Sequence, residues 1–544
     1  MVLPQKILSL YLLALFFMGV AWLAITPPFE GFDENAHFSS LRQVADTHTV
    51  PVYGGSYLDR TFTDYQGPIF YGSLEPPFDK KMTYAKFFAD PLRVEQYKKL
   101  YRSNDVERMP YSPGEGLNWQ AQHPPTYYML LAPLTKATDK LPLVTQVFLL
   151  RLASFILALG GVAFGFLAVS RKGKKLTPPM LGFLLYPIIL PMFFLEFARL
   201  GNDSLCLLLT GVTAYLVSLW LDRPQDKKLL LSIGAALGIG LLTKAFFLPI
   251  SAGVGLFMLF RLWDERRNQL VRTQRFWDIA WVFIPALIIG GGWYAYKFLV
   301  FGDLTGSHDA IRVAQQGGLF VNLKQNFSLI AFARSFLVML VTWSWGGTLS
   351  LTRLPEYLQF PCVLLAVWLV VAFITQVRRR PLGDAAWLPV WTMGLFAGSL
   401  FYYAILTIAL DGNGGAPGWY FHILFPWVAP ALGLGVCSIL KHKRARIALI
   451  GLLLYTMLFQ IMVYWSQLSL FTGCATKANN KHYLFSGPVF CLDQISTIID
   501  RLSALGWPLL AAGGWGMGLI CIVRLYCISH REIKAGLVYP TGLN

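Results

Sequence analysis

The sequence predicts an all-α polytopic membrane protein with about twelve transmembrane helices. Of its 544 residues, 55% are hydrophobic and only 14% charged, too little charge for a soluble chain that would divide into several domains. The apolar residues fall in runs of about 17–25, the length that crosses roughly 30 Å of hydrocarbon as helix. The lysines and arginines gather between those runs, at Arg171 to Lys175, Arg223 to Lys228, Arg266 to Arg275, Arg378 to Arg380, Lys441 to Arg446, and Arg524 to Lys534.

In chain order the expected spans are roughly 7–26, 145–170, 178–196, 203–221, 229–243, 246–262, 277–300, 356–377, 386–409, 422–440, 446–465 and 507–526. The first follows Lys6, has no small-residue cleavage site behind it, and reads as an uncleaved anchor. Thr26-Pro27-Pro28 stops it, because proline cannot continue a helix. With this count all six basic clusters share one side with both termini, as the positive-inside bias requires of cytoplasmic loops. The formal charge of +17 is thereby a topology signal, and no nucleic-acid partner is expected. Residues 328–348 would make a thirteenth span but would put Arg378 to Arg380 outside. They contain Arg334 and Trp345-Gly346-Gly347, and are expected to lie at or dip into the outer interface.

The outside is unevenly loaded. The first external loop, 27–143, holds 14 of the 29 acidic residues and is long enough for structure of its own; interfacial helices are expected near 33–45 and 92–102. Residues 1–440 form one expected module including that loop, and 441–544 a two-span region with external loop 466–506. Cys474 and Cys491 both lie in the latter loop, where an oxidising compartment would permit a disulfide. The other five cysteines fall in or beside apolar runs, as small packing residues do.

Candidate chemistry gathers at the outer mouth of the spans. Asp33 and Glu34 follow the first span directly. They can cap an interfacial helix, or Asp33 can be a general base with Glu34 or His37 in support, since Asp33 and His37 share a helix face. His123, in Gln122-His123-Pro124-Pro125-Thr126-Tyr127-Tyr128, can line a site or belong with Tyr127 to a proline-stiffened span entry. Asn202 and Asp203 can cap the next helix or contact an acceptor or metal. Lys244 sits between two apolar runs with no room for a loop; it can snorkel or hold an anionic headgroup. Arg199, Lys297 and Arg334 lie near the same boundary against the positive-inside trend, and at least one is expected on phosphate. Trp419, Tyr420 and His422, after Gly414-Gly415-Ala416-Pro417-Gly418, can form an interfacial belt or face sugar rings.

Taken in order, these residues resemble the GT-C superfamily of membrane glycosyltransferases. The carriers are the acidic pair after the first span, the His-Pro-Pro-Thr-Tyr-Tyr segment, the Asn-Asp turn, Leu242-Thr243-Lys244, and the Gly-Trp-Tyr entry to a late span. The family includes protein mannosyltransferases and aminoarabinose transferases, and the Asp-Glu-x-x-His-Phe form looks closest to poorly characterised bacterial members. The resemblance implies a sugar donor on a polyprenyl phosphate and a lipid-linked or surface glycan acceptor, with membrane lipids around both. Asp33 would be the base, Lys244 with Arg199 or Lys297 the phosphate-binding cations, and Asp203 a second acid. Trp419 stands where many relatives carry arginine. No cofactor is required; a divalent metal is possible, on Asp33 and Asp203 if on any residues. The implied location is the bacterial inner membrane with the site facing the periplasm. A transporter or lipid flippase, or an O-antigen ligase or polymerase, is the alternative; the former usually has midplane charges and repeats, the latter a late main loop.

Overall fold

The computed structural model describes residues 3–68, 82–104, 109–171, 175–264, 269–349, 356–379, 387–477, 485–486, 491 and 494–534. Within them the chain is an all-α polytopic membrane protein. Nine helices are long and apolar enough to cross a membrane, or ten if one bent pair counts as a span. Several expected basic residues, among them Lys172, Lys174, Arg266, Arg267 and Arg380, lie outside the described residues.

All twelve expected spans are helical, and three of them are broken or shorter than the rest among the described residues. The 178–196 run carries Pro187 and Pro191, and it splits into Pro178–Ile189 and Met192–Phe197, because each proline removes a backbone donor and crowds the preceding turn. Lys227–Leu241 is 15 residues, and the apolar part of its successor is Phe247–Leu262. The stretch expected at the interface is the helix Leu329–Ser344. It meets Leu319–Asn326 at a bend of 101° and packs its last turns against the 418–424 segment, where the Thr342 hydroxyl accepts from the Gly418 N–H at 2.8 Å.

The first and last long helices run side by side. Pro508–Lys534 packs along Leu3–Ile25, and the Trp507 N–H closes the junction on the Ala24 carbonyl at 2.9 Å. The region after 440 is thus built into the same bundle as the region before it.

The described residues of the 27–143 loop form a cap over one end of the bundle. Its helix Glu34–Thr47 is buried on nearly every side and packs along Thr126–Ala137. It is a core element of the cap where an amphipathic surface helix was expected. A two-stranded antiparallel ribbon, Tyr57–Asp59 with Pro113–Leu117, lies against it, joined by the Asp59 N–H to the Ser39 hydroxyl at 2.8 Å. Arg42 is buried beneath, paired with Asp46 and Asp139. The second expected helix is Pro91–Tyr101, started by Asp90, whose side chain accepts from the Arg93 N–H. Ile495–Leu505 packs against it from the far end of the chain, and a disulfide joins Cys474 to Cys491. Cys206, Cys362 and Cys521 are buried as expected of packing residues, whereas Cys527 is exposed.

Candidate active site

The turn between the first helix and Glu34–Thr47 is clamped by two buried arginines. Arg151 reaches out of the Leu143–Ser170 helix and donates to the carbonyls of Thr26 and Pro27 at 2.6 and 2.7 Å. Its Nε and Nη2 grip the two Glu34 oxygens at 2.6 and 2.5 Å. Arg199 donates to the Phe32 carbonyl at 2.7 Å. The two clamps hold Asp33, between Phe32 and Glu34, at φ 57 and ψ 10. That left-handed conformation costs an ordinary L-residue on the order of 1–2 kcal/mol, and Asp and Asn tolerate it best. Gly31 is required beside it, because a Cβ there would stand 2.7 Å from the Arg199 Cβ.

Asp33 does not cap its helix; its side chain makes no capping hydrogen bond. Its Oδ1 accepts from the Trp119 indole at 2.9 Å, and Oδ2 has no donor among the described residues. Trp119 is fixed in turn by its neighbour Asn118, whose amide donates to the Ala36 carbonyl and the Ser40 hydroxyl, both at 3.0 Å. The half-buried Asp33 carboxylate is therefore oriented through one oxygen and open through the other. Local helix capping, the simplest explanation for the acidic pair, does not hold for it.

Glu34 corrects the expectation that it supports the base. It is fully buried, and its oxygens also accept from the N–H groups of Gly31 and Leu200 at 3.3 and 3.1 Å. Neither oxygen is left for a substrate. Removing one partner of such a pair strands the other charge in a low-dielectric interior, so its role is to hold the turn.

Four cations were expected as candidates for the donor phosphate, Lys244, Arg199, Lys297 and Arg334, and the structure gives them different surroundings. Lys244 Nζ lies 2.8 and 3.0 Å from the two Asp203 oxygens, with the rings of Phe246 and Tyr420 at 4.5 and 4.8 Å. Arg199 pairs with Glu196 and Asp203 at 2.8 and 3.1 Å. Burial works against the charge of Arg199, but Glu196, Asp203 and Asp33 outweigh it and hold its pKa above the ordinary guanidinium value. Lys297 is different. It is 1% exposed, its ammonium lies 5.0 and 4.9 Å from the rings of Trp293 and Phe301, and among the described residues no carboxylate pairs with it. Gly306, at φ +54, lets the following loop cross the Lys297 stem, where a Cβ would stand 2.6 Å from Cδ. Arg334 is exposed on the Leu329–Ser344 helix with no carboxylate partner among the described residues.

His37 and His123 stack at 6.3 Å with rings 6° from parallel, and His37 Nδ1 is 2.9 Å from the Tyr128 hydroxyl. Burial pushes both imidazoles well below their ordinary value of 6.5; His123, Arg199 and Lys244 add to the effect on His37, and Lys244 and Lys297 to that on His123. Both rings are neutral at pH 7. The unfolded chain takes up these protons as the pH falls through about 6.5 while the folded chain does not, so stability is full above that pH and declines below it. Melting temperature in detergent is expected to fall between pH 7 and 5, and less steeply in His37→Gln. A flat profile in both proteins would contradict this assignment.

The remaining expected contacts divide. Trp419 stacks on Phe32 at 4.5 Å, which brings the late-span entry against the Asp33 turn and leaves Tyr420 beside Lys244. Tyr127 is buried. Its hydroxyl contacts Ser154 at 2.6 Å and accepts from the Gly201 N–H at 3.1 Å, so it positions the Asn202-Asp203 turn and is closed to a substrate. Asn202 donates to the Thr243 carbonyl at 3.2 Å, tying that turn to Lys244. His422 is corrected outright. It lies in the bundle core with Nε2 on the Trp343 carbonyl at 3.1 Å and Nδ1 on the Tyr186 hydroxyl at 2.9 Å, which leaves neither nitrogen for a sugar. Of the two acids expected to hold a metal if any did, Asp203 is already engaged. Both Asp203 oxygens are held by Lys244, and among the described residues no group of three His, Cys, Asp or Glu side chains is placed to hold an ion.

Arg151 and Trp119 were not singled out in the sequence. Arg151 carried a signal, as an ionisable residue inside an otherwise apolar run; Trp119 carried none.

Fold and site define a multi-pass membrane protein in which the ends of several spans bring a carboxylate and buried cations together. Residues 16–416 match a family model described as a predicted membrane protein, DUF2142, and the chain belongs to that family. Among solved structures it is similar to ArnT from Cupriavidus metallidurans bound to undecaprenyl phosphate, at 12% identity and a TM-score of 0.44, over 97% of this chain and 77% of that one. It is also similar to the apo state of the same protein, at 16% identity and a TM-score of 0.39, over 81% and 72%. No curated protein matches.

Proposed function

We propose that this protein is a membrane glycosyltransferase of the GT-C type. It moves a sugar from a polyprenyl-phosphate donor to a hydroxyl of a lipid-linked or surface glycan, at the extracytoplasmic face of the bacterial inner membrane. The observation that carries the reading is Asp33, a strained carboxylate held by two buried arginines and an indole, which does not cap its helix and keeps one oxygen open.

In this reading Oδ2 of Asp33 takes the proton from the acceptor hydroxyl as that oxygen bonds to the anomeric carbon. The bond between that carbon and the phosphate oxygen breaks, and its electron pair leaves with the polyprenyl phosphate. Attack opposite the leaving group inverts the anomeric centre. Phosphate is a competent leaving group, so a base, a cation and positioning suffice. Lys297 is the cation best suited to receive the new charge, because Lys244 and Arg199 already face Asp203 and Glu196. Those two hold the turn and set the local field.

Lys297→Met is expected to weaken polyprenyl phosphate binding about ten- to a hundredfold, the range for losing a hydrogen bond to a charged group. Titrating the purified protein with the lipid checks it, and unchanged affinity would remove Lys297 from the site. The function is tested in liposomes carrying polyprenyl-phosphate-linked hexoses and pentoses with a bacterial envelope glycan extract as acceptor. Released polyprenyl phosphate and a sugar-bearing product are expected; intact donors throughout would overturn the reading.

A further inference from the structure

The cap holds an open cleft of about 470 Å³ outside the Asp33 site, between the Tyr65-Gln66-Gly67 turn and the Pro91–Tyr101 helix. That volume falls in the usual range for small-ligand sites, roughly 300–1,000 Å³. The half-buried Tyr65 lines it, backed by the buried Tyr97, with rings nearly perpendicular and hydroxyls 3.1 Å apart. On the wall, Gln96 Nε2 donates to Gln66 Oε1 at 3.1 Å. Among the described residues the Gln66 amino group and the Gln96 carbonyl, both on exposed side chains, have no further partner. Beside them Arg93 Nε lies 3.6 Å from Asp90 Oδ2, and its other guanidinium N–H groups have no partner among the described residues. Leu92 stands beside them, 83% exposed.

Among the described residues an aromatic ring, paired amides and a charge-balanced Asp–Arg pair suit a ligand with apolar ring faces and many hydroxyls better than an anion. The cleft is also coupled to the reaction site. The Tyr65 ring packs edge-on against Phe29 at 5.2 Å, and Phe29, itself at φ 65, begins the turn that ends at Asp33.

We propose that this cleft binds the uncharged sugar units of an oligosaccharide and so anchors a glycan acceptor at a distance from the reacting hydroxyl. Its role as an acceptor site rests on the glycosyltransferase reading; sugar binding itself does not. The test uses the full chain in detergent, titrated calorimetrically with maltohexaose, mannohexaose, laminarihexaose and chitohexaose, and with a heparin hexasaccharide as the anionic probe. At least one neutral hexasaccharide is expected to bind, and Gln96→Ala and Arg93→Ala, both exposed positions, should each weaken it at least fivefold with melting temperature unchanged. Asp33→Asn should bind as the wild type does. Failure of all four neutral sugars, preference for heparin, or affinity indifferent to both cleft variants would overturn the proposal. Binding retained in a protein that transfers no sugar would overturn the glycosyltransferase reading and leave the cleft standing.

Discussion

Asp33→Asn is expected to reduce sugar transfer by roughly 10²–10⁴-fold, the contribution typical of a general base, with little change in folding or donor binding. Asparagine suits the test for a structural reason. It tolerates the left-handed backbone at this position, and its carbonyl oxygen can still accept from the Trp119 indole that holds Oδ1. Only the proton-accepting oxygen is lost. Transfer is followed by product formation under single-turnover conditions, and melting temperature and polyprenyl phosphate affinity are measured on the same preparation. Wild-type transfer by a well-folded Asp33→Asn protein would mean that another group takes the proton.

The second large effect is on stability. Glu34→Gln leaves Arg151 with its charge buried and its carboxylate partner gone, which is expected to destabilise the fold by roughly 3–5 kcal/mol. The loss should appear as a sharp fall in melting temperature and in monodisperse yield from detergent. Arg151→Met should do the same and also free the Thr26 and Pro27 carbonyls that it now holds. The double variant, Glu34→Gln with Arg151→Met, should recover part of the loss, because neither ion is then stranded. Equal stability in wild type and Glu34→Gln would show that this pair is not what fixes the Asp33 turn.

These two predictions assign opposite duties to adjacent acids, and the reason could not be read from their order alone. Asp33 stands at φ 57 just before the first helical residue and so leaves the helical period, keeping one oxygen open, while Glu34 turns inward to Arg151. Hydrophobic run length revealed the helices and, with charge placement, the end of the bundle at which the chemistry would gather. One expected span is broken in two by Pro187 and Pro191, and the helix before Lys244 has only 15 residues. Lys244 was conspicuous as a charge with no loop to house it. Its pairing with Asp203 was not, since that contact depends on how two helices rotate against each other. His422 misled for a similar reason. It is close in sequence to Trp419 and Tyr420, but the tight 3₁₀ turn Gly418–Leu424 directs it into the core. Lys297 became distinctive only once Lys244 and Arg199 had found their acids.

The central claim is that a lipid-borne phosphate sits with its sugar between Lys297 and the open oxygen of Asp33. Electron cryo-microscopy of the protein loaded with a polyprenyl-phosphate sugar measures this directly. Phosphate density within hydrogen-bonding reach of the Lys297 ammonium, with the sugar directed toward Asp33 and the prenyl chain leaving between spans, is the predicted result. Phosphate at the opposite end of the bundle, or a sugar turned away from Asp33, would contradict it.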